Sequence, residues 1–580
     1  MGDALPSGGP SDGKSLQGGE LLLRFLQAEG NRQIFAIADV SYNPVMREGA
    51  RYGQTFIGPR HESAGVHMAD AVARVTGRPG VVMAGMGPGA ANLLPGVVCA
   101  DIEGIPVLVI ATQRSRRTHS AVKRGRFQYT PQLELFRPAV RYAKSVEDAS
   151  RIPEVLRAAW RAALGPRPGP VYVEIPSDVM NQRVEVTPAM FPEGRPRRFA
   201  PGSGDPAAVA EAARLLCRAA RPLVLAGSGL YRARAQQAFR GFAAELGIPV
   251  VPSFGGRGVL PDDDPRALLV LSSAGRRALA EADTVLVLGS SIGEPLAFGR
   301  PGELWGEADA KRWIQVDSDP AALGFNRPVD VGIVGDLRLV LSQLSEAISS
   351  AGGLRHAAGL APHCAEHRRE LAALRREAMG QGGSPVHPGR MVAEVRAKLA
   401  RETIVVWDGG NTTLWSMHLA PVLGGELLWT SKFGHLGTGL PYAMGARLAC
   451  PERPVCLITG DSAFGFNIQE LETCARHEIP LVAVINCDYQ WAMEIPGQSA
   501  DFGGRDACVG VEHYPARYDR IAEGFGCHAE SVSRPDELGA ALERALASQR
   551  PAVVQVVTDP KQNELPPGLG LLAGVYGDDY

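Results

Sequence analysis

The sequence predicts an α/β protein of three successive domains, each built on a parallel sheet. Three observations predict it. The chain has 580 residues, too many for one core and enough for about three domains of roughly 150–200 residues. From about Leu16 the pattern is helix, short apolar strand and loop, repeated, with the apolar runs ended by Gly or polar residues as buried parallel strands are. Two breaker-rich stretches, 187–206 and 380–388, divide this rhythm into three.

In the first domain, 15–186, residues 19–30 carry helical spacing and 33–38 form a strand candidate. Apolar runs follow at 80–84 and 107–111, and 171–175 closes the unit near Pro176. In the second domain, 205–350, segments 222–226, 248–251, 285–289 and 313–316 read as strands separated by helices such as 207–219. A charged helix is expected around 367–377. In the third domain, 385–562, the strands are 404–407, 455–459, 481–485 and 552–556, and a Gly/Pro-rich tail occupies 563–580. Domains one and three share length and rhythm.

Composition narrows the function classes. Hydrophobic residues are 45% and charged residues 21% of the chain, ordinary for a globular protein. A net charge of −2 gives no case for nucleic acid or an anionic membrane surface as a partner, and Arg114-Ser-Arg-Arg117 is a short solvated run. The nine cysteines are odd in number and form no CxxC pair, which argues against a disulfide framework or structural zinc and for a reducing compartment. Residues 1–14 lack the apolar core of a signal peptide, and no apolar run reaches the roughly 18 residues of a membrane span. A cytoplasmic protein is expected.

The densest chemistry lies in the third domain. Val455-Cys-Leu-Ile-Thr-Gly-Asp-Ser-Ala-Phe464 is a strand entering a small-residue turn, Gln469-Glu-Leu-Glu-Thr-Cys-Ala-Arg476 is helical, and the strand 481–485 leads into Asn486-Cys-Asp488. A parallel crossover brings both strand ends to one sheet edge, so Asp461 and Asp488 can meet. A diphosphate calls for a hard divalent cation, and magnesium takes oxygen ligands in octahedral geometry. Small residues after Asp461 let backbone N–H groups approach phosphates at a helix start. The plainer reading of Asp461 alone is a helix N-cap.

Gly460-Asp-Ser and the later Asn-Cys-Asp resemble the thiamine-diphosphate signature, usually Gly-Asp-Gly followed by Asn-Asn. The resemblance implies Asp461 and Asp488 as magnesium ligands, the carbonyl of Gln490 as a third, and Gly460, Ser462 and Ala463 beside the diphosphate. Ser462 replaces the usual Gly, as in oxalyl-CoA decarboxylase-like members. Asp488 stands where Asn is commoner and adds a negative charge, and Asn486 lies two residues too early for the signature.

Upstream, Pro59-Arg-His-Glu62 and the helical segment after it resemble the Arg-His-Glu stretch of the acetolactate synthase, pyruvate oxidase and oxalyl-CoA decarboxylase superfamily. There the Glu, here Glu62, hydrogen-bonds the aminopyrimidine ring of the cofactor. A carboxyl in a mostly apolar cleft has raised proton affinity and can share a proton with that ring. A lone Glu at a helix start otherwise reads as a surface group complementing the helix dipole. Gly85-Met-Gly-Pro-Gly-Ala-Ala-Asn92 and the apolar run 105–110 match the same family in order and spacing, and Gln128 falls where members place a Gln that reaches the cofactor.

Phe433-Gly-His-Leu-Gly-Thr-Gly-Leu-Pro441 resembles the segment carrying the apolar fulcrum that bends the cofactor, here Leu436, which otherwise reads as a core Leu. The loop with Gly409, Asn411 and Thr412 resembles the one lining diphosphate and substrate. Ala36-Ile-Ala-Asp39 stands where members usually carry Gly-x-Pro-Gly, and Asp39 either faces the substrate or caps a turn. Trp491 and Met493 are candidate pocket walls. Glu494 is either a proton donor or an exposed helix residue, and His61 and His435 are candidate proton relays.

Gly256-Arg-Gly-Val-Leu-Pro261 and Ile314-Gln-Val-Asp-Ser-Asp-Pro320 resemble the central domain of the superfamily, which in some members binds FAD or an ADP moiety. Gly227-Ser-Gly229 is far from a dinucleotide fingerprint, so FAD is not favoured. The resemblance spans nearly the whole chain. It implies three domains (pyrimidine-binding, central and diphosphate-binding) and a thiamine-diphosphate- and magnesium-dependent decarboxylase or carboligase. Ylide attack on a 2-oxo acid and loss of carbon dioxide would precede transfer to a proton, an aldehyde or a second oxo acid. The alternatives are a 2-hydroxyacyl-CoA lyase or oxalyl-CoA decarboxylase-like enzyme, and a silent cofactor-binding partner subunit. A homodimer or homotetramer is expected.

Overall fold

In the computed structural model the described residues are 15–119, 125–192, 202–302, 304–306, 311–354 and 359–562. The chain forms two compact units, Met1–Phe199 and Ala200–Tyr580. The tail 563–580 and part of the first linker lie outside the described residues.

The first unit holds a six-stranded parallel sheet in the order Thr55–Ile57, Gln33–Ala36, Gly80–Ala84, Val107–Gln113, Val171–Pro176, Ala143–Ser145. The three middle strands are buried at every position, which explains their unbroken apolar runs. Helices Gly18–Ala28 and Ile152–Ala163 cover one face, with Phe25 meeting Trp160 edge to face at 5.9 Å. Helix Glu62–Thr76 lies so close to the sheet that a Cβ on Gly80 would stand 2.0 Å from the carbonyl oxygen of Ala69.

The second unit holds two parallel sheets. The five-stranded one runs Val250–Pro252, Pro222–Ala226, Thr284–Leu288, Arg312–Asp317, Val331–Val334. The six-stranded one runs Leu427–Leu428, Ile404–Asp408, Val455–Gly460, Val482–Cys487, Ala552–Val557, His528–Val532. Three parallel sheets in α/β domains are thus present. A buried ion pair ties the two sheets of this unit together. Arg257 donates to Asp262 through Nη2 at 2.8 Å and Nε at 3.1 Å, and its Nη1 donates to the carbonyl of Met417. Asp262 also accepts the N–H of Val422 at 2.9 Å.

Chain order reverses in mid-sheet between Gln33–Ala36 and Gly80–Ala84, between Pro222–Ala226 and Thr284–Leu288, and between Ile404–Asp408 and Val455–Gly460, and the two six-stranded sheets reverse again only at their far edge. Ligands of open α/β sheets bind at such reversals, beyond the carboxyl ends of the strands. In the five-stranded sheet the place is filled by backbone. A Cβ on Gly227 would lie 2.1 Å from the carbonyl oxygen of Gly289, and Gly229 donates its N–H to that oxygen at 2.9 Å. Close packing thus accounts for the Gly-Ser-Gly segment.

Several elements correct the sequence reading. The strand expected at 248–251 is Val250–Pro252, and the edge strands Thr55–Ile57, Ala143–Ser145, Val331–Val334, Leu427–Leu428 and His528–Val532 were not anticipated. Nor was the antiparallel pairing of Ser15–Gln17 with Arg183–Glu185. These strands are short or half-exposed, so they carry no long apolar run. The charged helix is longer than expected, Ala361–Gly380. Among the described residues no helix is long and apolar enough to cross a membrane.

Candidate functional site

In the first unit the sheet reversal gathers Asp39, Tyr42, Glu62, Gly85, Gly89 and Asn92. Glu62 opens helix Glu62–Thr76, and His61 is its N-cap, accepting the N–H of Ser63 on Nδ1 at 3.2 Å. His61 therefore has a capping role. Asn92, on helix Pro88–Glu103, donates from Nδ2 to Glu62 Oε2 at 3.0 Å. The other carboxylate oxygen, Oε1, would stand 3.3 Å from a Cβ on Gly89. A glycine there keeps the space beside it open.

Asp39 takes the capping alternative. Its Oδ1 accepts the N–H of Ser41 at 2.8 Å and the Ser41 hydroxyl at 2.5 Å, at the start of the short helix Val40–Tyr42. Its Oδ2 would lie 2.3 Å from a Cβ on Gly85, so Gly85 is required for the carboxylate to sit across the reversal. The Tyr42 hydroxyl donates to the carbonyl of Ile37, and burial, then the charges of Asp39 and Glu62, push the phenol well above its ordinary range. Sequence reasoning missed Tyr42.

It also missed Gln132, at the centre of a buried network. Gln132 Oε1 accepts the N–H of Gly87 at 2.8 Å, while Nε2 donates to Thr112 O, Tyr172 Oη and Glu174 Oε2 at 3.0, 2.9 and 3.1 Å. Gly87 has φ +66°, and a Cβ on it would stand 2.4 Å from the carbonyl oxygen of Gln128. Gln128 meets the glycine turn through its backbone, at φ +54°, and its side chain is exposed.

In the second unit Asp461 opens a short helix, Asp461–Gly465, beyond strand Val455–Gly460, and Asp488 follows strand Val482–Cys487. Asp461 Oδ1 accepts the N–H of Ser462 and Oδ2 that of Tyr489, both at 2.7 Å. Tyr489 has φ +56°, a left-handed turn that separates the Asp488 side chain from the Gln490 carbonyl. The Ser462 hydroxyl donates to that carbonyl at 3.0 Å, and Gln490 Nε2 donates to Asp488 Oδ2 at 3.2 Å. Arg505 then donates to Gln490 Oε1 at 2.7 Å.

Burial, and after it the charge of Asp488, push Asp461 up to about 7. Two carboxylates held together out of water disfavour their own ionisation, and a divalent cation reverses that preference. The donor set, two carboxylates and a carbonyl, is hard oxygen throughout and suits magnesium. The neighbouring glycines leave a hollow. A Cβ on Gly460 would lie 3.2 Å from Thr412 Oγ1, and one on Gly409 would lie 3.2 Å from the N of Gly460 and 3.6 Å from the Cβ of Ala463. Residues and hollow together fit a metal-bound diphosphate.

Asp408 fixes the loops on either side. Its carboxylate accepts the N–H of Gly409 at 2.7 Å and of Gly439 at 2.8 Å, and burial pushes it up to about 6. It ties the turn that opens helix Asn411–Leu419 to the segment carrying Leu436, which is half-buried. His435 stacks on Phe433 at 6.0 Å, and burial lowers its proton affinity. Met493 packs so close to Gly410 that a Cβ there would stand 2.1 Å from Met493 Cγ. Trp491 meets His513 edge to face at 4.8 Å. Glu494 is exposed in the first turn of helix Glu494–Phe502, the plainer of its two readings.

Comparison with known proteins follows this geometry domain by domain. Residues 16–135 match the thiamine pyrophosphate enzyme N-terminal TPP binding domain, 209–344 the central domain and 408–556 the C-terminal TPP binding domain. A probable acetolactate synthase large subunit of Methanocaldococcus jannaschii is 30% identical over 573 residues, covering 95% of this chain and 94% of its own. A sulfoacetaldehyde acetyltransferase of Roseovarius nubinhibens is 30% identical, with 93% and 91% covered. 2-Hydroxyacyl-CoA lyase 1 of Homo sapiens is 27% identical, with 94% and 95% covered.

Proposed function

We propose, on the premise that this chain belongs to the thiamine pyrophosphate enzyme family, that it is a thiamine-diphosphate- and magnesium-dependent 2-oxo acid decarboxylase or carboligase. Membership implies thiamine diphosphate as cofactor. The observation that carries the rest is the pairing of Asp461 with Asp488 beside a glycine hollow, in a chain that also holds the Glu62–Asn92 contact. The domain limits proposed are 15–186 for the pyrimidine, 205–350 for the central domain and 385–562 for the diphosphate.

Thiamine diphosphate, when bound, supplies a carbon nucleophile and an electron sink for the bond that breaks beside a carbonyl. The chain's residues hold it and move protons. Asp461, Asp488 and the carbonyl of Gln490 would hold the magnesium, and Gly409, Gly460, Thr412 and Ala463 would line the diphosphate hollow. Glu62 keeps one oxygen on Asn92 and offers the other to the aminopyrimidine nitrogen, where it shares a proton. Leu436 would pack against the cofactor, while Trp491 and Met493 would wall the substrate side.

Transfer to a second carbonyl is the preferred outcome, supported by acetolactate synthase and an acetyltransferase among the relatives. Cleavage of a 2-hydroxyacyl-CoA is the second reading, favoured by the similarity to 2-hydroxyacyl-CoA lyase 1. A silent partner subunit would have no use for the Glu62–Asn92 contact. We further propose a homodimer or a tetramer of dimers. Carbon dioxide release from a panel of 2-oxo acids, with and without aldehyde or oxo-acid acceptors, tests the reading. Turnover of 2-oxo acids with acceptor-dependent products is expected. Activity confined to 2-hydroxyacyl-CoA would replace carboligation with lysis, and inertness to both classes would overturn the enzyme reading.

A further inference from the structure

We infer that Asn486 is a positioning residue that fixes the hydroxyl of Thr412 as a hydrogen-bond donor into the diphosphate hollow. The inference rests on the diphosphate reading of that hollow. Asn486 lies on strand Val482–Cys487, directly opposite Gly460 in the register. Its Nδ2 donates to Thr412 Oγ1 at 2.9 Å, and its Oδ1 accepts the hydroxyl of Thr558 at 2.5 Å. Thr412, Asn486 and Thr558 are 3%, 1% and 1% exposed, so water does not compete for these bonds.

A threonine hydroxyl has one proton and two acceptor sites. With the amide N–H of Asn486 directed at the oxygen, the proton of Thr412 must point elsewhere. Among the described residues no acceptor takes it. The direction left open is toward Gly460, where a Cβ would have stood 3.2 Å away. Thr558 supplies the second constraint, because its own hydroxyl proton occupies Asn486 Oδ1 and holds the amide with nitrogen toward Thr412. A donor fixed in advance at a dry anion site needs no reorientation when the anion arrives. The residue that falls outside the usual signature thus has its own role, near the end of the strand that leads into Asp488.

The test is a double-mutant cycle on the full chain, read by calorimetry of thiamine diphosphate binding with magnesium. Loss of a hydrogen bond to a charged oxygen in Thr412→Val should weaken binding about ten- to a hundredfold. Asn486→Ala should weaken it by about three- to thirtyfold, and the double variant should be no weaker than Thr412→Val within about twofold. Thr412→Ser, which keeps the hydroxyl, should bind nearly as the unaltered chain does. Should Asn486→Ala fail to fold, Thr558→Val releases the amide from its other side and should weaken binding in the same direction. Binding by the unaltered chain together with unchanged affinity in Asn486→Ala or Thr558→Val, or with losses that add in the double variant, would overturn this inference alone. Absence of binding by the unaltered chain would overturn the diphosphate reading and this inference with it.

Discussion

Asn92 holds one carboxylate oxygen of Glu62 at 3.0 Å, while the other faces the space that Gly89 leaves open. The two oxygens of a single carboxylate are thereby given different tasks, one anchored and one available. Glu62→Gln should lower turnover by about 10²–10⁴-fold, the range of a lost acid–base contact. Magnesium-dependent binding of thiamine diphosphate should stay within a few-fold. Asn92→Ala should fall between the unaltered chain and Glu62→Gln in turnover. Steady-state kinetics paired with calorimetry check both, and undiminished turnover in Glu62→Gln would remove the residue from the mechanism.

Asp461 and Asp488 should differ in tolerance. Asp461→Ala removes a proposed ligand and the acceptor of two backbone N–H groups, and should weaken cofactor binding beyond the ~10–100-fold typical of losing an outer-shell partner. Asp488→Asn keeps an oxygen and removes the charge that raises Asp461, and should bind within about tenfold of the unaltered chain. Chelation of divalent metal should release the cofactor. Cofactor retained through exhaustive chelation would separate these residues from a metal.

Arg257 and Asp262 form a pair with side chains 6% and 2% exposed. Arg257→Met leaves a buried carboxylate without its partner and should destabilise the second unit by about 3–5 kcal/mol. Adding Asp262→Asn should recover part of that loss, because the uncompensated charge disappears. Calorimetric melting of the single and double variants measures it. Strictly additive losses would deny that the pair acts as a unit.

His367 is buried, and among the described residues neither ring nitrogen has a hydrogen-bond partner. Burial pushes it down to about 4. Asp262 and Glu370 act against this shift, and Arg257 and Arg375 act with it. The folded protein therefore refuses a proton that the unfolded chain accepts near 6.5. This contribution to stability is complete above pH 6.5 and is lost as pH falls toward 4, a difference of about 3 kcal/mol at 1.36 kcal/mol per unit. In His367→Leu the acid limb of the stability profile should flatten between pH 6.5 and 4. Parallel profiles for the two proteins would show that other groups set that limb.

The inner strands were legible because they carry unbroken apolar runs, and the turn at Asp461 stood out by its spaced acid–small-residue pattern. Edge strands such as Val331–Val334 alternate between buried and exposed and are only a few residues long, so nothing local sets them apart from loops. Asp39 and His61 were legible as polar residues in the right places. Their capping bonds to Ser41 and Ser63 depend on turns that a polar side chain alone does not announce. Gln132 carries no sequence pattern, and the Asn-Cys-Asp stretch says nothing of the bonds Asn486 makes, since the partners of both lie far away in the chain.

The amide of Gln132 touches Gly87, Thr112, Tyr172 and Glu174 at once, with Tyr172 itself stacked on Phe136 at 4.1 Å. The turn beside Glu62 is therefore anchored in the interior of its domain. Changes to Tyr172 or Glu174, deep in the sheet, would be felt as altered catalysis. The Gln132 hub is thus a part to keep whole, and so is the Asp39 cap, which Ser41 and Gly85 hold in place.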